Sequence, residues 1–214
     1  MKKYLFSTMT LTLGLLAGIT TLPAMADPVL YSNGPTTDAY GAYAIGPTRD
    51  ILSVSDSFTL SAAATVTGAD FNLWLNPGDF LTSVGWSISS YAFGSELGSG
   101  TVNPTNNFLL INSYNSVVFT ETTSLGDIEL GAGTYWFTLQ NATTAYAGSA
   151  RWDVNQGPSL AYRSSMENPI SSETFDITGT TGDAPSATPE PSSLLLMGTG
   201  LLLMGGLISY KVIA

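Results

Sequence analysis

Large apolar side chains recur at every second position through the middle of the chain, rather than at every third or fourth. In 55–60, Phe58 and Leu60 share one face. In 69–75, Phe71, Leu73 and Leu75 fall on one side and Asp70, Asn72 and Trp74 on the other. Asn76-Pro77-Gly78-Asp79 closes that run with turn residues, proline fixing φ and glycine permitting a positive one. Val84, Trp86 and Ile88 then alternate with Ser83, Gly85, Ser87 and Ser89. Further short runs lie at 114–120, 125–130, 150–154, 159–162 and 174–178. The strongest is 131–139, with Tyr135, Phe137 and Leu139 on one side and Trp136 on the other. A period of two is the spacing of side chains on one face of a strand, and no window before Ser192 holds a helical period. Turn signals punctuate the runs. The pattern predicts one all-β domain over 27–178, an antiparallel β-sandwich of jelly-roll-like winding.

The two ends have different patterns. In 1–26, Lys2 and Lys3 precede an uncharged apolar run, and Ala24 and Ala26 put small residues at the −3 and −1 positions before Asp27. This is the three-part layout of a secretory signal peptide, with signal peptidase cutting after Ala26. From 179 to 191 the chain turns to Gly, Thr, Ala, Ser, Pro and acids, a solvated linker between the domain and the C-terminal segment. The run 192–210 is apolar and uncharged, and Lys211 with a short tail completes 192–214. At ~1.5 Å per residue it spans close to the ~30 Å of a bilayer core. Its four glycines (Gly198, Gly200, Gly205, Gly206) disfavour a water-soluble helix but are tolerated in lipid. The expectation is an exported protein with one C-terminal transmembrane helix.

Charge narrows the partners. The net charge is −10, and every acidic residue lies between Asp27 and Glu190, opposed there only by Arg49, Arg151 and Arg163. Such a surface repels phosphates, so no nucleic acid partner is expected. There is no cysteine and no histidine. That removes disulfides, Ser–His and Cys–His nucleophiles, and the usual zinc and copper ligands. An enzyme would have carboxylates alone, and no nucleophile elbow, phosphate loop or metalloprotease motif occurs. The expectation is a non-enzymatic protein with no catalytic residues and no cofactor. Ca²⁺ is the one metal its oxygen donors suit, at Asp127 with Glu129 or at Asp153 with Asn155, although no EF-hand spacing is present. Trp74, Trp136 and Trp152, the last beside Asp153 and Asn155, are candidates for glycan contact. The competing reading puts them in a sandwich core.

Thr188-Pro189-Glu190-Pro191-Ser192-Ser193, succeeded by the apolar run and Lys211, resembles a PEP-CTERM sorting signal. The stretches 70–75, 130–136 and 152–155 resemble, more loosely, the β-sandwich ectodomains of proteins in that family. The resemblance implies that an exosortase reads Pro189, Glu190 and Pro191, removes the helix and passes the protein from an inner-membrane-anchored intermediate to the cell surface or extracellular matrix of a Gram-negative bacterium. The prolines stiffen the segment and remove backbone donors, leaving an extended peptide with one charge at Glu190. The family's arginine cluster is reduced here to Lys211. A structural or adhesive role in an exopolysaccharide matrix is the implied function, with a carbohydrate-binding module as the alternative.

Overall fold

The computed structural model describes residues 27–37, 41–46 and 52–182. The expected signal peptide with Ala24 and Ala26, the sorting motif Pro189-Glu190-Pro191, the 192–214 helix and Lys211 all lie outside the described residues. Within them are twelve strands and no helix. In chain order these are β1 (Val29–Ser32), β2 (Ala42–Ala44), β3 (Ser53–Leu60), β4 (Ala64–Leu75), β5 (Leu81–Ser89) and β6 (Glu96–Val102). They continue as β7 (Thr105–Ile111), β8 (Val117–Leu130), β9 (Gly133–Thr144), β10 (Arg151–Asp153), β11 (Ala161–Arg163) and β12 (Phe175–Thr181).

All pairings are antiparallel and form two sheets. In the larger, β4 is central. One of its edges pairs along its whole length with β8, which in turn carries β7. The other edge is shared by β12, backed by β1, and by β10, backed by β2. The smaller sheet runs β11-β3-β9-β5-β6. Most connections cross from one sheet to the other, so the sheets are laced together rather than merely stacked.

The core is what the period-two pattern buries. Val54, Phe58 and Leu60 from β3, Val84, Trp86 and Ile88 from β5, and Phe137 and Leu139 from β9 meet Phe71, Leu73 and Leu75 from β4 and Ile177 from β12. An aromatic centre holds them, with Trp152 edge-on to Phe137 and Phe175 at centroid distances of 5.8 and 5.7 Å. Each such side chain contributes about 1.5–3 kcal/mol through burial alone.

Several elements differ from the sequence pattern. The runs 114–120 and 125–130 are one long strand, β8, and Tyr114 belongs to the turn before it. The break between them is a bulge: Gly126 has φ +80° and the β4–β8 register shifts between Val66 and Gly68. β6 and β7 are absent from the pattern. β6 is glycine-rich and packs closely on its neighbour, a Cβ on Gly100 standing 3.2 Å from the Trp86 indole nitrogen. The short edge strands β1 and β2 also carry no alternation long enough to read. β12 continues through Thr181, past the Thr178 boundary.

Candidate functional site

The outer face of the smaller sheet is built from the polar half of each alternation. One cross-strand row reads Tyr162, Ser55, Thr138, Ser87 and Ser99 across β11, β3, β9, β5 and β6. Thr138 Oγ1 donates to Ser55 Oγ at 2.8 Å. In the next row Trp136 stands between Ser57 and Ser89. Ser55, Ser57, Ser87, Ser89 and Thr138 are buried although they point away from the core, because the taller Trp136 and Tyr162 shade them. The two rings are partly exposed and lie 5.6 Å apart between centroids, tilted by 45°. Short hydroxyl side chains thus lie packed beneath the surface, and two aromatic rings rise above them as a platform.

A cavity of about 270 Å³ opens beside Tyr162, lined by Ala92, Phe93, Arg163, Ser164 and Met166. Phe93 is exposed and has φ +55°, a region that bulky residues seldom enter and that stores strain. An aromatic face with adjacent hydroxyls is suited to a ligand with one apolar face and a polar rim. A sugar ring has that form.

A second concavity, about 410 Å³, lies on the outer face of the larger sheet. Asp70 and Asp176 stand directly opposite each other there, on β4 and β12. Beside them Thr120 Oγ1 donates to Asn72 Oδ1 at 2.8 Å, and Leu109 and the 34–36 segment form the lip. Facing like charges destabilise a sheet, so this pair is held against local preference.

The three tryptophans have separate fates. Trp136 stands on the outside as its strand position predicts. Trp74 also points outward, on the face of Asp70 and Asn72, yet is only 5% exposed. The turn before β8 folds over it, bringing the Tyr114 ring to 5.5 Å. Trp152 is placed not on the surface but in the centre of the core, fully buried, with Nε1 donating to the Thr174 carbonyl at 2.9 Å. Its neighbours are drawn inward with it. Asn155 is buried, with Nδ2 donating to the Asn33 carbonyl at 2.6 Å and Oδ1 accepting from Gly157 N at 2.9 Å. These bonds fasten one loop to another. Asp153 is buried as well.

Around Asp153 lies a carboxylate cluster that the period-two reading passes over. Asp56 points inward on the Phe58 face of β3 and accepts from Ser57 N and Glu173 N, each at 2.7 Å, and from Asn33 Nδ2 at 3.1 Å. Burial pushes its pKa up to about 6 despite those bonds. Glu173 is fully buried with neither carboxyl oxygen hydrogen-bonded. Burial, reinforced by the charges of Asp56 and Asp153, drives its pKa well above the carboxylate range. Glu121 on β8 is likewise buried without a bonded carboxyl oxygen, and desolvation raises its pKa to about 8. The signal was present for Asp56, which sits two residues before Phe58 in the same alternation. Asp127 and Glu129 are exposed on β8 beyond the bulge. Among the described residues no three acidic side chains are arranged to hold a metal ion.

Fold and surface together define an all-β protein of two packed antiparallel sheets, with an aromatic and hydroxyl-lined outer face. Compared with known proteins, the chain matches no family model and no curated sequence.

Proposed function

We propose that this chain is an exported, non-enzymatic envelope protein that an exosortase sorts to the cell surface or extracellular matrix of a Gram-negative bacterium, where it has a structural or adhesive role among exopolysaccharide. The observation that carries the reading is the order of segments: an export signal, a domain ending with β12 at Thr181, a Pro-rich linker with Pro189-Glu190-Pro191, an apolar run and Lys211. The domain is a jelly-roll-like sandwich whose chain passes repeatedly between sheets. The partners are signal peptidase, exosortase, the membrane by way of the 192–210 helix and the matrix polysaccharide; no cofactor is required. Mass spectrometry of protein recovered from the cell surface tests it. The expected C-terminus lies near Pro189-Glu190-Pro191, and surface material that always retains Lys211 to Ala214 overturns the sorting step.

A second reading, a carbohydrate-binding module, is favoured by one observation: Trp136 and Tyr162 stand side by side on the outside of the smaller sheet. Trp136→Ala then lowers retention on the producer's polysaccharide and leaves the melting temperature nearly unchanged. Unchanged retention rules out the platform as the ligand site.

A further inference from the structure

We propose that β7 is a self-association edge, and that a second copy of this chain pairs with it to extend the larger sheet. The exposed edge comes first. β7 hydrogen-bonds to β8 on one side, and among the described residues no strand pairs with its other side. An unpaired edge presents a row of backbone donors and acceptors, and proteins usually blunt such edges with lysine, proline, inward charge or brevity. The edge strands β1, β2 and β11 are short, and β6, the other seven-residue edge, carries the charge of Glu96. β7 has seven residues, with no proline and no charge.

Its side chains are also unusual for a solvated edge. Phe108 is 63% exposed, Leu109 43% and Ile111 61%. Tyr114, in the turn that follows β7, is exposed too and extends the apolar surface past Ile111. Contiguous exposed apolar surface is what protein interfaces use, whereas single exposed residues are ordinary.

Charge selects the partner. The chain carries −10 overall, yet no charged residue occurs anywhere between Glu96 and Glu121. That stretch holds nearly all of β6, all of β7 and the start of β8. Two copies of an acidic protein repel each other least where the chain itself is uncharged, and the uncharged stretch forms the open edge, with Asp70 and Asp176 set back across the concavity that Leu109 borders. A strand paired antiparallel with its own copy is related by a two-fold axis, which gives a closed dimer rather than a fibre.

The chain has no cysteine, so one introduced thiol reports on the contact without interference. Near the two-fold axis of such a pair, facing Cβ atoms approach to ~4.5–5.5 Å, which overlaps the upper end of disulfide spacing. Phe108 is the middle residue of β7. Full-length Phe108→Cys, purified in mild detergent and oxidised gently, is expected to give mainly a covalent dimer. Thr134→Cys, exposed on the other sheet, is expected to remain mainly monomeric. Sedimentation velocity on the cysteine-free chain over about a hundredfold range of concentration should show a dimer that grows by mass action. Added salt should strengthen it by screening the acidic surfaces. Ile111→Lys and Leu109→Lys should each weaken it at least about tenfold, with the melting temperature held near the parent's. A dimer that survives both lysine variants overturns the proposal. So does a monomer at every concentration and salt level, including one whose Phe108 is shielded by polysaccharide or detergent.

Discussion

Replacing Glu121 by glutamine preserves the shape of the side chain and removes its ability to ionise. The residue is enclosed on β8, opposite Phe71 of β4 and Asn106 of β7, with no hydrogen bond to either carboxyl oxygen. Desolvation lifts its pKa from 4.5 to about 8. The unfolded chain therefore releases this proton near pH 4.5, while the folded chain holds it until about pH 8. Because the folded pKa is the higher one, the stabilisation is fully present below 4.5 and is lost as pH rises through about 8. Each pH unit in that window lowers stability by ~1.4 kcal/mol per proton. Allowing for relaxation around the site, the whole effect is on the order of 3–5 kcal/mol. Urea melts of the wild type and Glu121→Gln from about pH 4 to about pH 9 measure it. Asp56 and Glu173 titrate in both proteins, so to the extent that the sites are independent their contributions cancel in the difference. The buried amide adds an offset of about 1–3 kcal/mol that does not vary with pH. The variant should gain on the wild type steadily as pH rises. Parallel profiles would refute the reasoning, because they would mean that Glu121 titrates alike in both states.

Asp79 should behave oppositely. Burial alone would raise its pKa, but hydrogen bonds from Thr144 Oγ1, Tyr146 N, Phe80 N and Gly148 N outweigh it and hold the group below its ordinary value. Its stabilisation is present above the unfolded pKa and disappears as pH falls through the folded one, so Asp79→Ala should destabilise by about 1–3 kcal/mol at neutral pH and progressively less in acid melts. Trp152→Ala should cost about 3–5 kcal/mol in a urea titration, since it empties the aromatic centre and removes the shorter of the two hydrogen bonds to the Thr174 carbonyl, leaving only that from Asn72 N. Gly100→Val should lower the melting temperature, because its Cβ would crowd the Trp86 indole.

What the sequence made legible was direction, and what it hid was cover. Phe71, Leu73, Leu75, Phe137 and Leu139 point inward as their alternation requires, because burying one face of a strand is the dominant favourable term. Trp74 obeys the same alternation yet is buried, since Tyr114 arrives from a turn whose path no local pattern specifies. Trp152 lies on a strand of only three residues, too short for any period to assign a face. β6 was hidden because Gly98 and Gly100, packed closely against Ile128 and Trp86, read as a loop. Asp56 and Glu121 stand at inward positions of otherwise apolar alternations. A carboxylate on such a face is a local conflict, and it is where pattern reading passes over a residue most in need of explanation.

The aromatic platform and the β7 edge occupy different parts of the molecule, so one can be covered without the other. Trp136 stands on β9, in the middle of the smaller sheet, whereas β7 borders the larger one. Pairing through β7 adds a strand at that border and leaves the outer face of the smaller sheet uncovered. Each dimer would then present two copies of the Trp136 and Tyr162 platform. A sugar-stacking site of two rings is weak by itself, but a second site on the same particle turns rebinding into an intramolecular event. Retention on a repeating polysaccharide should therefore fall in Ile111→Lys even though the platform is intact, while binding of a short oligosaccharide should not. If both fall together, the lysine has disturbed the fold of the platform; if neither falls, the two surfaces act independently.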